Sequence, residues 1–257
     1  MLDRNKTYHG DCLELMKDID TKSVDMILCD LPYGTTACKW DVIIPFEPLW
    51  EQYKRIIKDN GAIVLTASQP FTSALVMSNV KMFKYCWYWK KEKGVGFTFA
   101  KYRPLGQIED VLVFGKGKTK YNPLMVKLEK SYRHILPRTQ TETLNSGIKT
   151  CINGNDVYRE YTHKYPTNVL EYSRDSTKRN NKFKHPTQKP VALFEYLIKT
   201  YTNEKDLVLD SCAGSGTTGI ACMNTGRDYI LMEKDETYYQ LILDRINSHN
   251  IIGGIHA

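Results

Sequence analysis

Apolar positions along the chain follow two rhythms. Short unbroken runs stand at 24–30 (VDMILCD), 62–66 (AIVLT), 85–90, 110–115 (DVLVFG), 206–210 (DLVLD) and 228–233 (DYILME). Runs of this length, bounded by polar residues, read as strands buried on both faces. Between them the spacing becomes helical. After Pro45, Phe46, Leu49, Trp50, Tyr53, Ile56 and Ile57 recur at short helical intervals, with Gly61 as the stop signal. Asp11 caps a short helix reaching Ile19, Ser68 is placed to cap one over 70–78, and Pro190 opens the amphipathic VALFEYLIKTY at an N1 position. Further helices are expected over 217–224 and 236–248. Strands alternating with helices predict an α/β fold, a doubly wound, mostly parallel sheet with helices on both faces. Residues 116–184 break the rhythm: their periodicity is weak and NPL, LPR, NSG and NGND are turn formers, so a loop-rich insertion is expected there.

Composition narrows the class. With 257 residues, 42% hydrophobic and 25% charged, the chain suits a folded domain and excludes disordered, collagenous and coiled-coil readings. No apolar run approaches the ~18–20 residues of a membrane helix. The opening MLDRNKTYHGD has no signal pattern, so a cytoplasmic protein with no membrane partner is expected. Cysteines at 12, 29, 38, 86, 151, 212 and 222 form neither a CxxC pair nor a Cys/His metal spacing, which predicts reduced thiols and no metal. Charge is concentrated. Residues 116–184 hold 15 Lys and Arg against 6 Asp and Glu, a net of +9, whereas the whole chain is +7, leaving −2 for the rest. Such a segment predicts a polyanionic partner, because neutralising phosphates releases condensed counterions.

Two motifs carry chemistry. Residues 208–219, VLDSCAGSGTTG, place Gly214, Gly216 and Gly219 in a GxGxxG pattern between strand and helix, and Glu233 ends the next strand. Glycines let backbone approach a ligand, and an acid at that position accepts ribose hydroxyls. A ligand-free tight turn and a nicotinamide dinucleotide site are the competing readings. Asp210 favours an ammonium-bearing cofactor such as S-adenosylmethionine over a pyrophosphate. The second motif, Asp30-Leu31-Pro32-Tyr33, follows a buried strand. It offers an acceptor carboxylate, a carbonyl held extended by the proline, and an aromatic plate, a set suited to gripping the exocyclic amino group of a flipped-out base. An Asp–Pro turn with a buried tyrosine is the plainer alternative.

Taken together, the chain resembles S-adenosylmethionine-dependent DNA amino-methyltransferases of the β, or permuted, class. The resemblance rests on DLPYG at 30–34, DSCAGSGTT at 210–218, HPTQKPVALFEYL at 185–197, YHGDCL at 8–13 and EDVLVFGKG at 109–117. Leu31 stands where that family usually has Pro, and Cys212 where it usually has Phe. The resemblance implies a circularly permuted, Rossmann-like methyltransferase domain built from 1–115 and 185–257, with 116–184 as a target-recognition insertion. It implies transfer of a methyl group from S-adenosylmethionine to N6 of adenine in double-stranded DNA, as in restriction–modification. N4 of cytosine is the alternative acceptor. Asp30, Leu31, Pro32 and Tyr33 would grip the base. Asp11 and Cys12 would hold the cofactor adenine and Glu233 its ribose. Asp30, Asp210, Cys212, Ala213, Gly214, Ser215, Gly216, Thr217 and Thr218 would surround its methionine part, with Thr187 and Lys189 near the carboxylate.

In the insertion, Lys178, Arg179 and Lys182 are expected to meet DNA phosphates, and Tyr132, Tyr158, Tyr161, Tyr165 and Tyr172 interleave with the charges. DNA is expected to enter between this segment and the catalytic edge. A DNA-binding protein with an inactive cofactor site is a further alternative, and a homodimer is left open.

Overall fold

The computed structural model describes residues 2–36, 38, 41–135, 149–153, 156–174 and 188–253. Met1–Asn122 with Asn168–Ala257 forms one compact unit and Pro123–Thr167 a second.

The larger unit is an eight-stranded sheet. In chain order its strands are β1 (Lys6–His9), β2 (Val24–Asp30), β3 (Ile57–Ala67), β4 (Phe83–Val95), β5 (Gly106–Phe114), β9 (Val169–Glu171), β10 (Leu207–Asp210) and β11 (Asp228–Glu233). Their spatial order is β1-β11-β10-β2-β3-β5-β4-β9. β5 runs antiparallel to its neighbours β3 and β4, and the other pairings are parallel. The apolar runs are continuous because both faces are covered. Ile27, Cys29, Ile63 and Leu65 pack with Leu49, Trp50, Tyr53 and Ile56 of α2 (Phe46–Ile56) and Phe71 and Leu75 of α3 (Phe71–Ser78). The alternate residues Met26, Leu28, Ala62 and Val64 pack with Leu193, Phe194, Leu197 and Ile198 of α4 (Val191–Tyr201), Ala221 and Cys222 of α5 (Thr217–Thr225) and Ile242 of α6 (Glu236–Gly253). A doubly wound sheet with helices on both faces is what the strand–helix alternation predicts.

Local readings need four corrections. Gly61 does not stop α2, because the chain passes directly from Ile56 into β3. Gly61 lies inside β3, where a Cβ would stand 2.8 Å from the Asp25 backbone oxygen, so its role is close approach to β2. Ser68 gives α3 no side-chain cap; its carbonyl accepts from Thr72 N instead. Pro190 is the N-cap of α4 and not its first helical residue. β1 is an edge strand whose residues, KTYH, carry no apolar run.

Among the described residues of 116–184, where loops are expected, strand predominates. The second unit is an antiparallel sheet of β6 (Val126–Ile135), β7 (Lys149–Asn153) and β8 (Asp156–Lys164), in the order β6-β8-β7. Tyr132 and Tyr161 face each other in register with rings stacked 5.0 Å apart. Residues flanking this unit belong to the larger one: Asn122 N donates to Thr200 O, and β9 pairs with β4. The positive charge is divided in the same way. Residues 116–122, 123–167 and 168–184 each carry a net +3.

Candidate active site

The carboxyl ends of neighbouring parallel strands present three acids at one sheet edge: Asp30 ends β2, Asp210 ends β10 and Glu233 ends β11. Ligands bind outside this edge of an open α/β sheet. A cavity of about 800 Å³ lies there. Of the residues expected from sequence, Asp11, Cys12, Asp30, Leu31, Pro32, Tyr33, Lys189, Asp210, Cys212, Ala213, Gly214, Ser215, Thr217 and Glu233 line it. Gly216 and Thr218 act from behind. Gly216 adopts φ +74° at the N-cap of α5, a conformation that favours glycine, and Thr218 is fully buried with its hydroxyl donated to Asp210. Thr187, Lys178, Arg179 and Lys182 lie outside the described residues.

At one end the donors suit a nucleoside. Glu233 accepts from Gly214 N at 2.8 Å and Asp235 N at 2.9 Å, one on each oxygen. A carboxylate has about four lone-pair sites, so both oxygens keep capacity for hydroxyls. Burial raises its pKa, against these backbone bonds. Asp11 caps α1 (Cys12–Leu15) through Leu13 N at 2.9 Å, and Lys234, 3.0 Å away, holds its pKa low. The Cys12 and Cys212 thiols shift each other's pKa in opposite senses, Cys12 downward and Cys212 upward. Asp210 is 2% exposed and accepts from Cys212 N at 3.1 Å; burial pushes its pKa up to about 7. A buried acid of this kind gains from a cation and opposes a phosphate.

At the other end a chain of alternating charges holds Asp30. Lys189 Nζ lies 2.8 and 2.7 Å from its two oxygens and 2.8 Å from Glu109 Oε1, while Lys91 Nζ lies 2.7 Å from Glu109 Oε2. Burial alone would depress the Lys189 pKa, but the Asp30 and Glu109 charges outweigh it and hold it above the usual lysine range. Glu109 is likewise buried yet lowered by Lys189 and Lys91. The Tyr33 hydroxyl stands 2.8 Å from Asp30 Oδ1 and 3.2 Å from Glu109 Oε1, and the Thr66 hydroxyl donates to Asp30 Oδ1. Burial and the two carboxylates keep Tyr33 protonated, hence a donor. Its ring stacks on Phe71 at 5.1 Å.

Lys189 is thus bonded to Asp30 and Glu109. Glu109, Lys91 and Thr66 were not expected from sequence. Glu109 and Lys91 come from the β4–β5 pair, where Trp89 is in register with Glu109 and Lys91 follows two residues later on the same face. An acid and a lysine flanking strands carry no local signal of this meeting.

The model of the DNA methylase family, which covers N6 and N4 enzymes, matches residues 24–244. The chain belongs to this family. Among similar proteins, the DNA adenine methyltransferase YhdJ of Escherichia coli (strain K12) is 30% identical to this methylase over 258 residues, covering 93% of this chain and 81% of YhdJ. The type II methyltransferase M1.MboII of Moraxella bovis is 28% identical, covering 93% and 95%. The solved M1.HpyAVI–SAM complex is 26% identical with a TM-score of 0.60, covering 93% of this chain and 98% of that one. The methylase contains no described helix long and apolar enough to cross a membrane. Among the described residues no group of three His, Cys, Asp or Glu is arranged to hold a metal.

Proposed function

We propose that this methylase transfers a methyl group from S-adenosylmethionine to the exocyclic N6 of adenine in double-stranded DNA. The observation that carries the reading is the single cavity joining a nucleoside-type end at Asp11 and Glu233 to an amine-accepting end at Asp30 and Tyr33. The similarity to YhdJ, a DNA adenine methyltransferase, supports the base, and that to the M1.HpyAVI–SAM complex supports the cofactor. The donor set fits this cofactor: Glu233 offers acceptors to hydroxyls, and the buried Asp210 suits an ammonium. When bound, S-adenosylmethionine supplies a methyl activated by sulfonium.

The chain's own residues prepare the acceptor. An exocyclic amine is a poor nucleophile because its lone pair is delocalised into the ring. Asp30 accepts an amine hydrogen and draws the nitrogen toward sp³, and the Leu31 carbonyl is the second acceptor. The ammonium of Lys189 holds the Asp30 carboxylate in place through both oxygens, and Glu109 offsets that ammonium so that it does not oppose positive charge on the amine. Orientation and preorganised electrostatics provide the acceleration. The basic stretch 116–184 supplies target recognition, with Lys178, Arg179 and Lys182 on phosphates.

Expression in a methylation-free bacterial host followed by modification-sensitive sequencing tests the reading. The expected result is N6-methyladenine at one short motif. N4-methylcytosine alone overturns the choice of base, and unmodified DNA overturns the activity.

Two results concern the cofactor end. Glu233→Ala is expected to weaken S-adenosylmethionine binding by ~1–3 kcal/mol, the range for hydrogen bonds to a charged acceptor. Calorimetry checks this, and unchanged affinity removes Glu233 from the site. Binding is also expected to weaken as pH falls through about 7, because the protonated Asp210 must lose its proton to meet an ammonium. The limiting slope is about tenfold per pH unit. Dissociation constants from pH 5.5 to 8.5 report it, and Asp210→Asn should flatten the profile.

A further inference from the structure

The turn between β4 and β5 has an unusual surface. Phe97 is 84% exposed and Tyr102 86%, and Phe99, Leu105 and Ile108 are also exposed. A lone exposed apolar residue is ordinary, but a cluster on one hairpin tip marks an interaction surface. Cations stand among the rings. Residues 91–105 contain Lys91, Lys93, Lys101 and Arg103 against the single acid Glu92. The Arg103 guanidinium lies 5.0 Å over the Phe99 ring. The root of the same hairpin is cavity wall: Trp89, Lys91, Val95 and Glu109 line the acceptor end. The exposed rings therefore project from the element that bounds the place where the base is received.

We propose that this hairpin tip is a DNA contact separate from 116–184, and that Phe97 or Tyr102 packs into the stack that the target base leaves. The proposal rests on the methylase reading above. Turning a base out of a duplex costs unstacking and unpairing, and leaves neighbouring bases without a partner face. An apolar ring inserted between base steps recovers part of that cost. Positive charge beside the rings matches flanking phosphates, which favours DNA over an uncharged protein surface as the occupant. Stacking of this kind is sequence-tolerant, so the tip acts on extrusion whatever motif is read elsewhere.

The test uses a duplex bearing the motif found by sequencing, with 2-aminopurine at the target position as the extrusion probe. Phe97→Ala combined with Tyr102→Ala is expected to cut the fluorescence rise on binding several-fold. It should raise KM for the matched duplex about tenfold and leave cofactor affinity unchanged. The KM defect should shrink on a duplex mismatched at the target, where extrusion is already cheap. Phe97→Trp with Tyr102→Phe, which keeps the rings, should behave as wild type. Unchanged extrusion and KM in the alanine variant overturn the proposal. A defect equal on matched and mismatched duplexes also overturns it, as does a change of oligomeric state with DNA readouts intact, which would make the tip a protein-docking surface. Wild-type methylation of the motif is the internal control: its absence overturns the activity itself, whereas its presence with an unaffected variant overturns only the role of the hairpin.

Discussion

Asp30→Ala is expected to lower methyl transfer by at least roughly 10²–10³-fold, the cost typical of losing one preorganised group at a reacting centre. Asp30 is the described carboxylate that ends β2 and reaches both the cavity and Lys189. The variant should fold, since Asp30 stands at a strand end and Lys189 retains Glu109 as a partner. Single-turnover assays with saturating cofactor isolate the chemical step. A variant keeping a third of wild-type turnover would show that the amine is not held by this side chain. Asp30→Asn keeps the shape and one acceptor oxygen but not the charge, so its residual rate separates positioning from electrostatics.

The second large effect is expected at Lys189. Lys189 is 6% exposed and its ammonium joins two carboxylates, so Lys189→Met leaves Asp30 and Glu109 without the cation they share, with Lys91 remaining only on the far oxygen of Glu109. Removing one partner from a buried ion pair costs about 3–5 kcal/mol. Denaturant unfolding should show a loss of that size. The pH dependence has a definite sign. The folded-state pKa of Glu109 lies below its ordinary value of 4.5, so its ion pairs stabilise the fold above that value and the benefit is lost as pH falls below it. In Lys189→Met this acid-sensitive contribution should shrink, so stability between pH 3 and 6 should vary less than in the wild type. Adding Glu109→Gln, which restores charge balance, should recover part of the stability but not the activity, because Asp30 stays unoriented. Full recovery of both would reduce Lys189 to a packing role.

The parts of this molecule that were legible in the sequence are those fixed locally. VDMILCD and DYILME became β2 and β11 at the expected residues because unbroken apolar runs have few other places to go. The glycine turn and Asp-Leu-Pro-Tyr were legible because they combine special backbone needs with polar atoms at strand ends. The antiparallel sheet of the second unit was not. β6 and β8 pair Tyr132 with Tyr161 across a long stretch rich in turn formers, and such pairing leaves no local periodicity. The lysine that holds Asp30 and the acid that shares it were hidden for the same reason: Lys189 precedes Pro190 outside any strand or helix, and Glu109 lies inside β5. Only the folded chain brings Asp30 and Glu109 to one ammonium.

The place of β10 has a consequence for synthesis. β2 forms early in the chain and pairs with β3, but its other edge stays open until Leu207–Asp210 has been made. At ribosomal rates of about 5–20 residues per second, that edge waits roughly 10–35 s. During this time Met26, Ile27, Leu28 and Cys29, all fully buried in the finished protein, flank an unpaired row of backbone groups. An open apolar edge is a template for pairing with other chains. The nascent methylase is therefore most exposed to aggregation and chaperone capture through its middle third, and β10 and β11 close the cofactor end in the last step of folding.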